Sequence, residues 1–422
     1  MTGDRPLNGS DYLMLGFDHE LRQHGYAGNS CQIILELAAA IPPDALRRRL
    51  ETITTQCPVV NARAKGFIRP KWKLPRKAAA PKVRVHREDA ALCENLVNEP
   101  LDSQRGELMR FDLIECADEK MKIIFSWAHA LMDAHSAEYF IAVAGREDLP
   151  LPASEFLPFP RPPLPFGEKM RRIGKNFRAY GEFRKIAPKS PGIRHANAPA
   201  RLQFRVEKFS AAETAQVRAN ASRLSGALGE AQFHAAVSAI ELQDLQQRLG
   251  CPSPSILLPV PVGLRPKGNV EPLFSNQITM LLLQLLPGQL DSVAKIIALL
   301  KTQTALAMRD GVVEGGVFFL DALRFLPLPI YTAFTRFGLK GEVCSLFYGN
   351  TAAVNPLVTT FLGARIDDFT HVAAVPPSPG IGVIFYQFRG ELRLTILHLA
   401  KTLDENEAAR FASALRARLL NP

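Results

Sequence analysis

Alternating apolar residues predict a strand-rich first part of the chain. Between 121 and 127, apolar side chains occupy every second position, which is typical of a largely buried strand. Residues 107–116 precede it as the other arm of a predicted hairpin, with Asp118 and Glu119 in the turn. Two further strands, at 32–37 and 83–86, and a helix at 43–54 with proline in its first turn are also predicted. The first part therefore combines strands and helices.

The second part of the chain also combines segments with the apolar spacing of strands and segments with that of helices. Ser210 and Glu213 have the spacing of a capping box, which predicts that a helix begins there, directly after a strand. Strands are predicted at 202–209, 256–262, 278–286, 381–388 and 391–398, and helices at 210–224, 228–249, 292–308 and 404–419. The last two strands form a predicted hairpin across Arg389 and Gly390.

Length and proline content divide the chain. It has 422 residues, 47% hydrophobic and 22% charged, which is typical of a folded protein with two cores. Seven prolines between 150 and 165 exclude a helix or a central strand there and predict an extended linker. No repeat of fixed period is visible. We therefore expect an N-terminal lobe at 1–160, a crossover helix and linker at 161–200, and a C-terminal lobe at 201–422.

The cysteines and the apolar stretches of the sequence indicate the cellular compartment in which the protein is expected. No Cys-x-x-Cys pair or neighbouring histidine pair occurs, so neither a zinc site nor a disulfide framework is indicated. The first residues lack the charged-then-apolar pattern of a signal peptide, and the most apolar stretch, 316–339, is interrupted by charges and prolines. These features predict a cytoplasmic protein without a spanning helix. The six cysteines are at positions 31, 57, 93, 116, 251 and 344.

The candidate chemistry lies directly after the strand at 121–127. His129 and Asp133 stand four residues apart where that strand gives way to a helix, predicted at 136–143 with Ser136 as its cap. A neutral imidazole accepts a proton from a hydroxyl or an amine near neutral pH. An aspartate that orders the turn would hold that imidazole in one orientation.

This stretch resembles the His-His-x-x-x-Asp-Gly signature of the condensation-domain superfamily of acyltransferases. That superfamily includes nonribosomal peptide condensation domains, wax ester synthases with diacylglycerol acyltransferases, and plant acyltransferases. His129 matches the second, catalytic histidine and Asp133 the aspartate, whereas Ala128 and Ala134 replace the first histidine and the glycine. Plant members also lack the first histidine.

Four further segments match the family in order. Residues 57–63 resemble its His-Pro-x-x-x-x-Arg segment, and residues 258–265 resemble its strand ending in an arginine. Residues 274–277 resemble its Gly-Asn pair before another strand, and residues 360–363 its Ser-Asn-Leu-Gly segment. The resemblance therefore covers nearly the whole chain.

The resemblance implies an α/β fold of two chloramphenicol-acetyltransferase-like lobes. Each lobe would be a mixed sheet with flanking helices, and the active site a tunnel at their interface. His129 would be the general base and Asp133 a structural support paired with Arg265. Asn276, as an oxyanion or substrate contact, or backbone amides near Ala134 would supply the donors to the oxyanion. An acyl group would pass from a coenzyme A or acyl-carrier-protein thioester to an alcohol or an amine. No bound cofactor and no metal are expected.

Other histidines and an aromatic segment have simpler interpretations. His135 is expected to point away from His129, His234 to be structural or at the surface, and His398 to be inert. Residues 318–337 are rich in aromatic and aliphatic side chains, which fits either core packing or the wall of a channel for a fatty acyl chain.

Residues 167–189 carry most of the chain's net charge of +10. Eight basic and two acidic residues give this stretch +6, and apolar residues at helical spacing give it an amphipathic face. Three interpretations remain open: a crossover helix with its charges in water, a helix on an anionic membrane surface, or a docking site for an acyl carrier protein or the phosphates of coenzyme A. Nucleic acid is not expected, because no aromatic-basic platform accompanies the charge.

Two other functions compete with fatty or natural-product acyl transfer. Ala128 and Ala134 suit a condensation-like binding module that has lost catalysis. A small-molecule acetyltransferase would use the same residues with a short acyl donor.

Overall fold

The computed structural model describes residues 5–66, 70–151, 164–227, 229–266 and 268–422. Most of the predicted proline linker, at 152–163, lies outside the described residues.

The strands of the described residues are β1 Arg5–Pro6, β2 Ser30–Leu37, β3 Arg63–Lys65, β4 Lys71–Lys73, β5 Lys82–Arg87, β6 Met109–Glu115, β7 Met121–Ala128, β8 Leu202–Lys208, β9 Ile256–Gly263, β10 Ile278–Leu285, β11 Phe347–Ala353, β12 Thr360–Phe361, β13 Ala364–Val372, β14 Ile381–Phe388 and β15 Glu391–Leu399. Helices are α1 Gly9–Gln23, α2 Pro43–Gln56, α3 Leu92–Val97, α4 Ala134–Gly145, α5 Phe166–Lys185, α6 Ala211–Ser225, α7 Glu230–Arg248, α8 Val293–Arg309, α9 Val312–Leu323, α10 Leu328–Phe337 and α11 Glu405–Leu420.

Two mixed sheets form the centres of the two lobes. The first has the order β12-β13-β2-β7-β6-β5, in which only the β5–β6 pair is parallel. The second has the order β11-β14-β15-β8, in which the β11–β14 pair is parallel. The predicted class, α/β with a mixed sheet in each lobe, is confirmed.

Strand β7 lies inside the first sheet, and one of its faces, with Met121, Phe125 and Trp127, is entirely apolar. It pairs with β2 on one side and β6 on the other, and its apolar residues are buried. The predicted hairpin of β6 and β7 is confirmed. Asp118 and Glu119 in its turn have φ of 57° and 56°, as the tight turns that suit twisted strands require.

One strand from the last part of the chain joins the sheet of the first lobe. Strand β13, from the last quarter of the chain, pairs antiparallel with β2, and Val372 stands opposite Gln32. Residues 360–372 therefore complete the sheet of the N-terminal lobe. A domain boundary read along the chain misses this exchange, because the backbone hydrogen bonds of a sheet do not depend on sequence separation.

Helices α1, α5, α9 and α10 form a layer beside the interface. Tyr12 of α1 packs edge-on against Tyr331 of α10 with their ring centroids 4.9 Å apart, and both are buried with Phe319 of α9. Phe319 in turn contacts Tyr180 of α5. In the described part of the chain, every helix is too short or too polar to cross a bilayer.

Candidate active site

Asp133 caps the helix that follows strand β7. Its Oδ1 accepts a hydrogen bond of 3.0 Å from the backbone N–H of Ser136, so helix α4 begins at Ala134. The prediction that Ser136 caps this helix is therefore wrong. Aspartate is among the preferred N-cap residues because its short carboxylate reaches the free amides of the first turn.

Asp133 and Arg265 form an ion pair between the lobes. The Nη1 atom of Arg265, just after β9, lies 2.6 Å from Oδ2 of Asp133, and the amide of Gln277 donates to the same oxygen at 2.9 Å. Nη2 of Arg265 donates to the hydroxyl of Ser136 and to the carbonyl of Pro272. Both side chains of the pair are buried. Burial alone would raise the pKa of Asp133, but Arg265 and the two amides hold it below its usual value.

His129 lies at the end of β7 with its backbone held on both sides. Its N–H donates to the carbonyl of Asn29 at 2.9 Å, and its carbonyl accepts from Nδ2 of Asn276 at 2.8 Å. Among the described residues, no hydrogen bond of normal geometry reaches its buried Nδ1 atom. Burial lowers the pKa of His129 from 6.5, and the nearby carboxylate of Asp133 opposes this shift. The imidazole is therefore a free base at neutral pH.

The side chain of Asn276 supports His129. It is fully buried, and its Nδ2 donates both to the backbone carbonyl of His129 at 2.8 Å and to Oδ1 of Asp11 at 3.0 Å. Both N–H groups of Asn276 therefore hold parts of the protein in place, and its contact with a substrate or an oxyanion stays a prediction.

Asp11, which the sequence interpretation missed, completes this support. Its Oδ1 also accepts the backbone N–H of Asn276 at 2.8 Å. Burial raises the pKa of Asp11 to about 6, although Arg5 opposes the shift. Asn8 and Asp11 make a capping box for α1, which predicts only the helix start and not this distant partner.

A cavity of about 460 Å³ opens at the lobe interface next to His129. Residues of β7 and α4 line one side, and residues of β9, β10 and β11 line the other, so both lobes contribute. Asp133 and Arg265 stand at its wall. His135 is exposed and lines the same cavity, so the expectation that it lies on another side is wrong.

His371 is a second residue that the sequence interpretation missed. It lies on β13, lines this cavity, and its Nε2 is 2.8 Å from Oε1 of Glu138 on α4. Both side chains are buried. No local pattern pointed to His371, because β13 reaches this lobe only through its pairing with β2.

A second cavity, of about 290 Å³, adjoins the first. Most of its lining is aliphatic or aromatic and comes from α5, α8, α9 and β10, including Tyr180, Phe319 and Leu323. Met280 and Phe347 line both cavities, so they form the partition between them. Part of the aromatic segment at 318–337 thus walls a cavity, while Tyr331 packs in the core.

The first turn of α4 also faces the interface cavity beside His129, which is called the catalytic cavity below because of the function proposed for it. Ala134 and His135 line it, and the first amides of a helix have no acceptor within the helix. Among the described residues, Asp133 accepts from the third and fourth amides of this helix, those of Ser136 and Ala137, and leaves the amides of Ala134 and His135 facing the cavity. Ala134 is not among the described residues with positive φ, so its methyl group causes no backbone strain where the signature has glycine.

His234 has a structural place, as predicted. It is buried, its ring stacks on Phe385 with centroids 4.3 Å apart, and its Nδ1 lies 3.2 Å from Nδ2 of Asn350. Burial lowers the pKa of His234 to about 3. His398 is also buried in a strand, which lowers its pKa. In the described part of the chain, no group of three or more His, Cys, Asp or Glu side chains is placed to hold a metal ion.

Comparisons with known proteins identify the fold. No protein-family model and no curated protein matches the sequence. Among solved structures, the first condensation domain of the CDA synthetase matches with a TM-score of 0.72 at 14% identity, covering 100% of this chain and 97% of that one. The TRI3 trichothecene 15-O-acetyltransferase from Fusarium sporotrichioides matches with a TM-score of 0.71 at 11% identity, covering 99% and 95%. The condensation domain of the Monacolin K polyketide synthase MokA matches with a TM-score of 0.65 at 13% identity, covering 100% and 98%.

The chain therefore has the two-lobed fold shared by condensation domains and chloramphenicol-acetyltransferase-like acyltransferases. The resemblance noted in the sequence is confirmed at the level of the fold. His129, Asp133 and Arg265 meet at the interface between its lobes.

Proposed function

We propose that this protein transfers an acyl group from a thioester to a hydroxyl or an amine, with His129 as the general base. The observation that carries this proposal is the position of His129, whose free-base imidazole lines an interface cavity while its Nδ1 is withdrawn from solvent. The other ring nitrogen, Nε2, is the atom we assign to the proton transfer.

The proposed step moves one proton and exchanges one bond. Nε2 takes the proton of the acceptor as its oxygen or nitrogen attacks the thioester carbonyl. The tetrahedral intermediate then expels the thiolate, which receives that proton. No acyl-enzyme is required, because both substrates bind at once and are held in line.

Two groups support this step without exchanging a proton. Asp133 is fully committed to Arg265 and to backbone amides, so its role is to fix the turn that carries His129. The amides of Ala134 and His135, at the positive end of α4, are the donors we assign to the developing oxyanion.

The adjoining apolar cavity favours a fatty or similarly apolar acyl donor. It begins at Met280 and Phe347, which also bound the catalytic cavity, and its remaining lining is mostly aliphatic and aromatic. An acyl chain placed there would be removed from water at a gain of about 0.8 kcal/mol per methylene. Acetyl transfer would leave this cavity unused. The proposed thioester carrier is coenzyme A or an acyl carrier protein, and the experiment below tests both.

The test measures thiol release from acyl-coenzyme A donors ranging from acetyl to palmitoyl, with hexadecanol or hexadecylamine as the acceptor probe, and the same acyl groups on a carrier protein. His129→Ala is expected to lower kcat by about 10²–10⁴-fold. His135→Ala, which removes the neighbouring imidazole of the same cavity, is the matched control and should retain activity. If His129→Ala released thiol at the same rate as the unaltered protein, the proposal would be contradicted.

A condensation-like binding module without catalysis is the second candidate, favoured by Ala128 and Ala134. Ala134→Gly distinguishes the two functions, because it restores the residue of the family signature. In an active enzyme this change should alter kcat by less than about 10-fold, since Ala134 already has an unstrained backbone. Catalysis that appears only in the variant would favour the binding module.

A further inference from the structure

Helix α5 exposes apolar side chains on a face that the protein covers only in part. Phe166, Met170 and Phe177 lie along one stripe of the helix and are 78%, 49% and 48% exposed. Phe177 also packs edge-on against Phe319 of α9, with their ring centroids 4.9 Å apart. On the inner side of α5, Asn176 is buried and donates to the carbonyl of Val312 at 3.2 Å. The stripe therefore borders the packed side of the helix and leaves a large part of its apolar surface exposed.

Helix α10 continues this apolar surface. Its outer face carries Ile330 and Phe337, which are 55% and 64% exposed. The two helices meet where Phe177 lies edge-on to Phe334, with their centroids 6.3 Å apart. We call the exposed residues Phe166, Met170, Phe177, Ile330 and Phe337 the α5–α10 face.

Basic side chains border this face. Arg184 lies over the ring of Phe337, 4.4 Å from its centroid. Arg171, Arg178 and Lys185 follow the apolar stripe on the exposed side of α5, and Lys340 is exposed after α10. Glu168 and Glu182 pair with part of this charge, and a net positive charge remains on α5.

We propose that the α5–α10 face docks on an anionic membrane surface. Aromatic and aliphatic side chains bordered by arginine and lysine match the layered chemistry of a bilayer, in which acyl chains lie beneath anionic headgroups. An exposed apolar surface of this kind is costly in water and marks an interaction site in a folded protein.

The same helices connect this face to the apolar cavity. Ala179, Tyr180 and Phe183 of α5 and Thr335 of α10 line the cavity on the inner side of the two helices. A lipid substrate taken from the membrane would therefore have a short path to the partition at Met280 and Phe347. This last step rests on the proposed acyl transfer, whereas the docking itself does not.

The experiment measures binding of the 422-residue chain to vesicles by flotation. Vesicles of phosphatidylcholine alone are compared with vesicles that also contain phosphatidylglycerol, at low and high salt. We expect binding to the anionic vesicles and its loss at high salt. Ile330→Ser with Phe337→Ser should lower the partition coefficient at least about tenfold, and Arg178→Glu with Lys185→Glu by about 30-fold or more.

Matched controls lie elsewhere on the surface. Ile193→Ser removes an apolar side chain with 58% exposure, and Arg48→Glu with Lys120→Glu reverses two exposed charges in the N-terminal lobe. These controls should bind vesicles like the unaltered chain. Circular dichroism establishes that each variant is folded.

Three results would overturn the proposal. The first is equal binding of the anionic vesicles by the α5–α10 variants and the controls. The second is a dimer in light scattering that the α5–α10 substitutions dissociate, since the face would then bind a second copy. The third is binding of an acyl carrier protein that these substitutions abolish while vesicle binding persists. Thiol release from water-soluble thioesters should be unchanged in the α5–α10 variants, so failure of docking is distinct from failure of the proposed acyl transfer.

Discussion

Asp133 and Arg265 are joined across the lobe interface at 2.6 Å, by an ion pair whose two side chains are buried. Asp133 also caps helix α4, and Arg265 also binds the carbonyl of Pro272. This ion pair therefore links the turn that carries His129 to the second lobe.

Removing the charge of Asp133 should destabilise the protein. Asp133→Asn still offers an oxygen to the amide of Ser136, but it leaves Arg265 buried without its counter-ion, which costs about 3–5 kcal/mol. Urea denaturation followed by fluorescence measures the loss. Asp44→Asn, in the exposed pair with Arg47, is the control and should cost less than about 1 kcal/mol. Equal losses in the two variants would contradict the structural role.

The pH dependence of activity should follow the lowered pKa of His129. A general base works only when unprotonated, so kcat/KM falls as pH drops through the pKa of the base in the free enzyme. Because burial lowers this pKa from 6.5, the inflection of the acid limb should lie below pH 6.5. The profile of His135→Ala should keep the same inflection. An inflection above pH 6.5 would contradict the assignment of His129 as the base. Loss of the inflection in His135→Ala would indicate that His135 is the base.

His234 should make folding stability depend on pH. Its pKa is about 3 in the folded state and 6.5 without burial, so from pH 6.5 down to about 3 the unfolded chain binds a proton that the folded chain does not. Stability is then full above pH 6.5 and is lost as the pH falls, by about 1.4 kcal/mol per pH unit.

His234→Asn should therefore reduce the decline of the unfolding free energy between pH 6 and pH 4. Asparagine keeps a polar atom near the position of Nδ1, which lies close to Asn350. His24→Gln, at an exposed histidine at the end of α1, is the surface substitution with which His234→Asn is compared. An unchanged slope in His234→Asn would show that this histidine is not buried neutral.

Filling the apolar cavity should change acyl-chain selectivity. Ala307 of α8 lines this cavity but not the catalytic one, so Ala307→Phe shortens the space beyond the partition. We expect palmitoyl transfer to fall by at least about tenfold relative to acetyl transfer. Ala219→Phe, on the exposed side of α6, is the control and should leave the ratio unchanged. If Ala307→Phe lowered acetyl transfer and palmitoyl transfer by the same factor, the acyl chain would not lie in this cavity.

The local pattern of the sequence determined the elements and the position of the candidate base. The alternation at 121–127 predicts strand β7, and the spacing of Ser210 and Glu213 predicts the start of α6; both features depend on neighbouring residues alone. His129 is singled out by its place after that strand together with the resemblance of residues 128–134 to the condensation-domain signature. The spacing of local hydrogen bonds and of buried side chains depends only on residues close together in the sequence, so the sequence pattern predicts it.

Tertiary structure alone decided which distant groups meet. Strand β13 enters the first sheet and brings His371 to the cavity, Asp11 occupies a donor of Asn276, and Met280 and Phe347 divide two cavities. Any exposed strand edge or free donor has many acceptable partners in the sequence. Only the packing of the whole chain selects one of them, because that choice depends on the total free energy of many contacts and not on any local pattern.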